Sequence, residues 1–219
     1  MLEQLGVTLE APVELAARAL EEAGITFMFA PAMHPAMRHV GPVRRELGIP
    51  TVMNIVGPLA NPAGAGRQVV GVAERGRMVL LSGALASLGA AHALVVHGEP
   101  GMDEVSPLGP THVVEIRDGI MAEWTIEPSR FGMPDGRAEE LAGGAPADNA
   151  SAVRAALSGD APPTARAAVL LNAAAAVFVS TCGVQSFGEA IEVARAALDG
   201  GAGLAALERL RRAFTSTAS

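Results

Sequence analysis

Two apolar runs separated by a helical segment constrain the fold of this chain more than any other feature. Residues 68–73 and 93–97 are short apolar runs that predict strands, and residues 78–88 between them predict a helix that ends at Gly89. A strand, a helix and a strand at this spacing form a βαβ unit, whose two strands lie parallel in one sheet. The chain is therefore predicted to adopt an α/β fold.

The rest of the pattern adds helices and a second pair of strands. Residues 112–116 and 120–124 predict a β-hairpin, because Asp118 and Gly119 between them suit a type I′ turn. Before the βαβ unit we expect an amphipathic helix at 12–23, a buried strand at 25–29 and a basic helix at 36–47. After the hairpin we expect a loop at 128–147 and helices at 149–157, 164–181, 187–198 and 204–214. The predicted architecture is a mainly parallel sheet flanked by helices.

Composition excludes several classes of protein. The 219 residues include 16 basic and 23 acidic side chains, and the formal charge of −7 at pH 7 argues against a surface that binds nucleic acid. All the basic residues are arginine, which excludes Walker A loops and Schiff-base chemistry because both need a lysine amine. With one cysteine, Cys182, and no apolar run of the ~20 residues that a bilayer requires, we expect a cytoplasmic protein without a membrane partner.

Asp103 and Glu104 are the first candidates for chemistry. They lie in a Gly/Pro-rich loop directly after the second predicted strand, and ligands of open parallel sheets bind at the carboxyl ends of the strands. Two adjacent carboxylates suit Mg²⁺, which usually takes one or two such ligands together with substrate phosphates. The alternative is an ordinary solvated acidic loop, and these residues alone leave both interpretations open.

The segment HPAMRHVGPVRRELG supplies the second candidate. Arginine binds a planar carboxylate through two parallel hydrogen bonds, and the adjacent Arg44 and Arg45 cannot share one helix face. One of them can therefore enter a cleft while the other meets solvent, although a wholly solvated basic face explains the pattern equally well. Next along the chain, NIVGPLANPAGAG indicates a rigid loop that can approach a ligand.

Together these motifs resemble the anthranilate phosphoribosyltransferase family of tryptophan biosynthesis. The resemblance rests on HPAMRHVGPVRRELGIPTVMNIVGPLANPAGAG, VVHGEPGMDEVS and LLNAAAAVFVSTCGVQSFGEAIEVA, and it extends from LEQLGV to the final helix. It implies a fold of the nucleoside phosphorylase and phosphoribosyltransferase type, and a Mg²⁺-dependent enzyme. The implied reaction transfers phosphoribosyl from phosphoribosyl pyrophosphate to anthranilate, giving N-(5-phosphoribosyl)anthranilate. Members are usually homodimers with a small helical domain and a larger α/β domain.

The resemblance also implies roles for particular residues. Arg44 matches the arginine that holds the anthranilate carboxylate, and Asp103 and Glu104 match the Mg²⁺ ligands. Three positions match residues that line the anthranilate path: Pro31, His34 and Gly57.

The family's GTGGD and KHGN motifs are not found in this sequence. We therefore expect a member truncated at its N-terminus and inactive as an isolated chain. Residues 1–32 would begin the remaining α/β domain, 33–49 would cross to a mostly missing small domain, and 50–219 would form the main α/β domain. Two alternatives stay open: a non-catalytic binding protein of the same fold, and a related pentosyltransferase with another aromatic acceptor.

Overall fold

The computed structural model describes residues 1–34, 46, 48, 56–57, 59–180 and 183–215. A short 3₁₀ helix (Leu2–Leu5) comes first, followed by α1 (Val13–Ala23) and α2 (Ala30–Met33). The βαβ unit follows as β1 (Arg67–Gly71), α3 (Met78–Ser87) and β2 (His92–Gly98). The hairpin consists of β3 (Thr111–Arg117) and β4 (Ile120–Ile126). The last helices are α4 (Pro146–Ser158), α5 (Pro163–Val179), α6 (Phe187–Asp199) and α7 (Ala202–Thr215).

The four described strands form one sheet in the order β1-β2-β3-β4. β1 pairs with β2 in parallel, with Arg67 opposite His92, which confirms the predicted βαβ unit. β3 is antiparallel to both β2 and β4. Asp118 (φ 51°) and Gly119 (φ 80°) both have positive φ, as the predicted type I′ turn requires. The α/β class is confirmed, but the described sheet is mixed rather than mainly parallel because the hairpin contributes two of its four strands.

Helices cover the two faces of the sheet. On one face α5 and α6 pack against alternate strand residues, among them Leu94, Val96 and Val113. On the other face α3 packs through Leu81 and Leu85 against the intervening residues, which include Val95, Val114 and Ile116. Because successive side chains of a strand point to opposite faces, the sheet contributes to two separate cores.

A third apolar cluster joins the two ends of the described chain. It contains Leu5 and Ala19 from the N-terminal segment and Leu207, Leu210 and Phe214 from α7. α1 ends before Gly24, whose φ of 73° is the left-handed conformation that commonly terminates a helix. This cluster contains residues of helices and of the loops beside α1, and none from the sheet.

The strand predicted at 25–29 is wrong. These residues have no strand conformation, and Phe27 instead packs against the cluster formed by α1 and α7. A short apolar run indicates burial without indicating whether its neighbour is a sheet or a helix, and here the neighbour is helical. The helix predicted at 36–47 lies outside the described residues except at Glu46, and Cys182 also lies outside them.

Within the part of the chain that the structure describes, no single helix combines the length and apolar character needed to cross a bilayer. Two of the described helices, α4 and α5, meet that criterion when they are taken together, as a pair bent by 73°.

Candidate metal and substrate site

The loop after β2 begins with a tight backbone turn. The N–H of Gly98 donates to the carbonyl of Met102 at 2.8 Å, and the N–H of Met102 donates back to the carbonyl of Gly98 at 2.6 Å. Asp103 and Glu104 follow this turn, and both are exposed. The candidate carboxylates therefore project to solvent from the carboxyl end of a parallel strand, where open α/β sheets bind their ligands.

Two glycines allow this loop to lie directly on the sheet. A Cβ at Gly71, the last residue of β1, would overlap the carbonyl oxygen of Asp103. A Cβ at Gly98 would lie 2.6 Å from the carbonyl oxygen of Glu104, which is also too close. Glycine at both strand ends is therefore required for the backbone of the carboxylate pair to rest across β1 and β2.

The residues that follow the pair are buried and hydrogen-bonded. Val105 is fully buried, and its N–H donates to the side-chain oxygen of Asn172 on α5 at 2.9 Å. Ser106 is also fully buried, and its N–H donates to Thr111 Oγ1 at 2.9 Å. Its hydroxyl donates to the carbonyl of Glu99, which closes the loop on itself. Asp103 and Glu104 therefore form an exposed acidic tip, and the buried residues that follow this tip are held in place by hydrogen bonds.

The donor set of this tip suits Mg²⁺. Among the described residues, no three or more His, Cys, Asp or Glu side chains are grouped so that they could enclose a metal ion. Mg²⁺ does not need such a cage, because it keeps several waters and binds one or two carboxylates together with substrate phosphates. Asp103 and Glu104 supply two hard oxygen ligands of that kind on an accessible loop.

The other sequence-predicted residues are distributed differently. Arg44 lies outside the described residues, as does Arg45. Pro31 is exposed in α2, His34 is half-buried at its end, and Gly57 is exposed. Among the described residues, no hydrogen bond joins these three positions to the Asp103–Glu104 loop, so their shared role as a substrate path stays a prediction.

Sequence reasoning missed three residues that hold the site: Gly71, Gly98 and Asn172. The only available signal for Asn172 was an amide in the middle of an otherwise apolar, Ala-rich run. Nothing in the order of residues connects that amide to a loop 67 positions earlier in the chain.

The fold and this loop agree with a class of sugar-transferring enzymes. Residues 1–204 match the glycosyl transferase family, a/b domain, and the chain belongs to that family.

Individual relatives are more specific. The chain is 47% identical over 212 residues to the anthranilate phosphoribosyltransferase of Rubrobacter xylanophilus, a match that covers 97% of this chain and 62% of that protein. It is 48% identical over 214 residues to that of Thermomicrobium roseum, covering 96% of this chain and 61% of the relative. The chain thus spans somewhat less than two thirds of the length of these curated relatives.

Solved structures agree with the sequence relatives. The crystal structure of anthranilate phosphoribosyltransferase from Thermus thermophilus matches with a TM-score of 0.90 and 41% identity, over 98% of this chain and 63% of that one. The enzyme from Saccharomyces cerevisiae in complex with phosphoribosyl pyrophosphate and Mg matches with a TM-score of 0.88 and 29% identity, over 98% and 61%.

Proposed function

We propose that this chain carries the α/β part of an anthranilate phosphoribosyltransferase. The observation that supports this most strongly is the exposed Asp103–Glu104 pair at the carboxyl end of β2. It lies in a chain that is 47% identical, over 97% of its length, to an enzyme of that name. The reaction breaks the bond between the anomeric carbon of phosphoribosyl pyrophosphate and its pyrophosphate. A new bond joins that carbon to the anthranilate nitrogen, and pyrophosphate and one amine proton are released.

Asp103 and Glu104 are the residues proposed to hold Mg²⁺. A bound Mg²⁺ supplies Lewis-acid stabilisation of the negative charge that develops on a phosphate leaving group. The exposed carboxylates present oxygen ligands to solvent. Gly71 and Gly98 allow the backbone of Asp103 and Glu104 to lie against the ends of β1 and β2. Support for the metal comes from the similar Saccharomyces cerevisiae enzyme, which was solved in complex with phosphoribosyl pyrophosphate and Mg.

Anthranilate is proposed to bind through its carboxylate to Arg44. A guanidinium forms two parallel hydrogen bonds with a carboxylate, which fixes both the position and the plane of the aromatic acid. Three residues are proposed to line its path: Pro31, His34 and Gly57. The aryl amine is neutral at pH 7, so no general base is needed to make it nucleophilic, and Arg44 has only to position it beside the anomeric carbon.

The proposed organisation follows the family resemblance. Residues 1–32 and 50–219 would form the α/β domain, and residues 33–49 would cross to a small helical domain. Following the same resemblance, we propose a homodimer in the cytoplasm without a membrane partner. The formal charge of −7 supports the further proposal that it does not bind nucleic acid.

The test measures product fluorescence with anthranilate, phosphoribosyl pyrophosphate and Mg²⁺. We define the extended chain as this chain joined to the part of the Rubrobacter xylanophilus relative that lies outside the matched 212 residues. We expect turnover by the extended chain and none by the 219-residue chain alone. Turnover with a different aromatic acid but not with anthranilate would contradict the proposed acceptor. No turnover with any acceptor, in an extended chain that is folded, would favour a non-catalytic binding protein.

A further inference from the structure

Asn172 is a polar residue in the middle of the apolar helix α5. Its neighbours Leu171 and Ala175 are fully buried in the core beneath the sheet. The Asn172 side chain makes three hydrogen bonds of 2.9 Å. Its Oδ1 accepts from the N–H of Val105, and its Nδ2 donates to the carbonyl oxygens of Val105 and Ala168. Both protons of Nδ2 are therefore used, and Oδ1 has a partner as well.

These bonds fix the backbone immediately after the carboxylate pair. The bond to Ala168, one helical turn earlier, orients the amide plane relative to α5. The N–H of Val105 belongs to the peptide group that links it to Glu104, so the bond to Oδ1 sets the direction of the chain behind Glu104. Because the Val105 carbonyl is bound by the same side chain, the peptide groups on both sides of Val105 are held by one planar group.

The other side of the carboxylate pair is also fixed. The carbonyl of Asp103 rests on Gly71 at the end of β1, and Met102 pairs with Gly98 at the end of β2. The acidic tip is thus attached to the sheet on one side and, through Val105, to α5 on the other. Removal of the Asn172 amide would release one of these two attachments while leaving both carboxylates in the chain.

We propose that Asn172 is a positioning residue for the metal site, acting through the backbone of Val105 on the Asp103 and Glu104 carboxylates. The inference rests on the proposed role of those carboxylates in holding Mg²⁺. Residues that orient metal ligands without touching the metal typically change metal affinity 10–100-fold when they are replaced. A residue of merely structural importance would change stability and amide protection but leave metal affinity unaltered.

The experiment uses the ¹⁵N-labelled 219-residue chain, with Mn²⁺ as a paramagnetic probe for the Mg²⁺ site. The Mn²⁺ dissociation constant is obtained from the broadening of the Asp103 and Glu104 amide signals. Hydrogen exchange of the Val105 amide, measured in the same samples, reports directly on the hydrogen bond from Val105 to Asn172. The variants are Asn172→Leu, which retains the side-chain size, and Asn172→Ala, so that either one that folds is sufficient.

Asn149 provides a matched control. It makes the same pair of bonds to one backbone residue, accepting from the N–H of Gly144 at 2.8 Å and donating to its carbonyl at 3.1 Å, but at the start of α4 rather than at the candidate site. We expect replacement of Asn172 to raise the Mn²⁺ dissociation constant about tenfold or more and to accelerate exchange at Val105. We expect Asn149→Ala to change neither quantity.

The outcomes separate this inference from the proposed function. Fast exchange of the Val105 amide in the parent chain would show that Asn172 does not hold the Val105 backbone, which overturns the inference. Accelerated exchange in an Asn172 variant, with an unchanged Mn²⁺ dissociation constant, overturns the positioning role and leaves the metal assignment intact. If Mn²⁺ fails to broaden Asp103 and Glu104 in the parent chain, the metal assignment and the positioning role both fail.

Discussion

Among the described glycines, Gly71 is the one at which an added Cβ would come nearest to another atom. An added Cβ would overlap the Asp103 carbonyl oxygen, which is backbone and cannot rotate away. We expect Gly71→Ala to displace the acidic loop and to lower the free energy of unfolding by about 1–3 kcal/mol, the usual cost of forcing atoms into a packed site.

Urea unfolding measures this effect, and Gly76→Ala is the matched control. Nothing lies within 4 Å of a Cβ at Gly76, so that variant should stay within about 0.5 kcal/mol of the parent chain. Equal stability of the two variants would show that the Asp103 backbone does not rest on β1.

The two adjacent arginines should differ in their effect on anthranilate. In the extended chain, we expect Arg44→Ala to raise the anthranilate KM far more than Arg45→Ala does. The KM for phosphoribosyl pyrophosphate should change little. Loss of a bidentate contact between charged groups costs roughly 1.5–3 kcal/mol, or about tenfold to more than a hundredfold. Steady-state kinetics of both variants test this, and equal effects on the anthranilate KM would disprove the role assigned to Arg44.

At the scale of elements, the N-terminus of α5 is held by a carboxylate. The N–H of Thr164 donates to Glu140 Oε2 at 2.8 Å, and this backbone hydrogen bond, together with one from the Thr164 side chain, lowers the pKa of Glu140 below its usual 4.5. The folded chain therefore favours the ionised carboxylate. Its contribution to stability is complete above the pKa of the unfolded chain and is lost as the pH falls through the lowered pKa.

Replacement of Glu140 by glutamine should reduce this acid sensitivity. We expect the free energy of unfolding of the parent to fall more steeply below about pH 4.5 than that of Glu140→Gln. Urea unfolding at a series of acidic pH values provides the measurement, and Glu139→Gln, at the adjacent residue, is the control. A Glu140→Gln variant that follows the parent curve at every pH would exclude this stabilisation of α5.

Elements with a clear local signal were predictable from the sequence. The βαβ unit was found because its apolar runs and helical pattern alternate with turn residues, and the hairpin was found because Asp118 and Gly119 tolerate positive φ. The strand predicted at 25–29 failed because its burial comes from contacts with α1 and α7 rather than with a neighbouring strand. Such a contact depends on tertiary structure and leaves no local signature.

At the scale of the whole molecule, the candidate site was only half predictable. Asp103 and Glu104 could be found because a strand end and a pair of carboxylates are adjacent in the sequence. The residues that hold them come from β1, β2 and α5, which only the folded chain brings together. The proposed Mg²⁺ ligands could therefore be predicted from the sequence, whereas the residues that hold their backbone in place could not.

The proposed enzyme depends above all on Asp103 and Glu104 binding the Mg²⁺ required for phosphoribosyl transfer. This role is tested by the rate of product formation by the extended chain across a Mg²⁺ titration, for the parent and for Asp103→Asn combined with Glu104→Gln. Glu21→Gln combined with Glu22→Gln is the matched control, because it neutralises another exposed, adjacent pair. We predict that the Asp103–Glu104 variant folds but loses Mg²⁺-dependent turnover, while the control retains it. Turnover by the folded Asp103–Glu104 variant within a few-fold of the parent at every Mg²⁺ concentration would contradict this role.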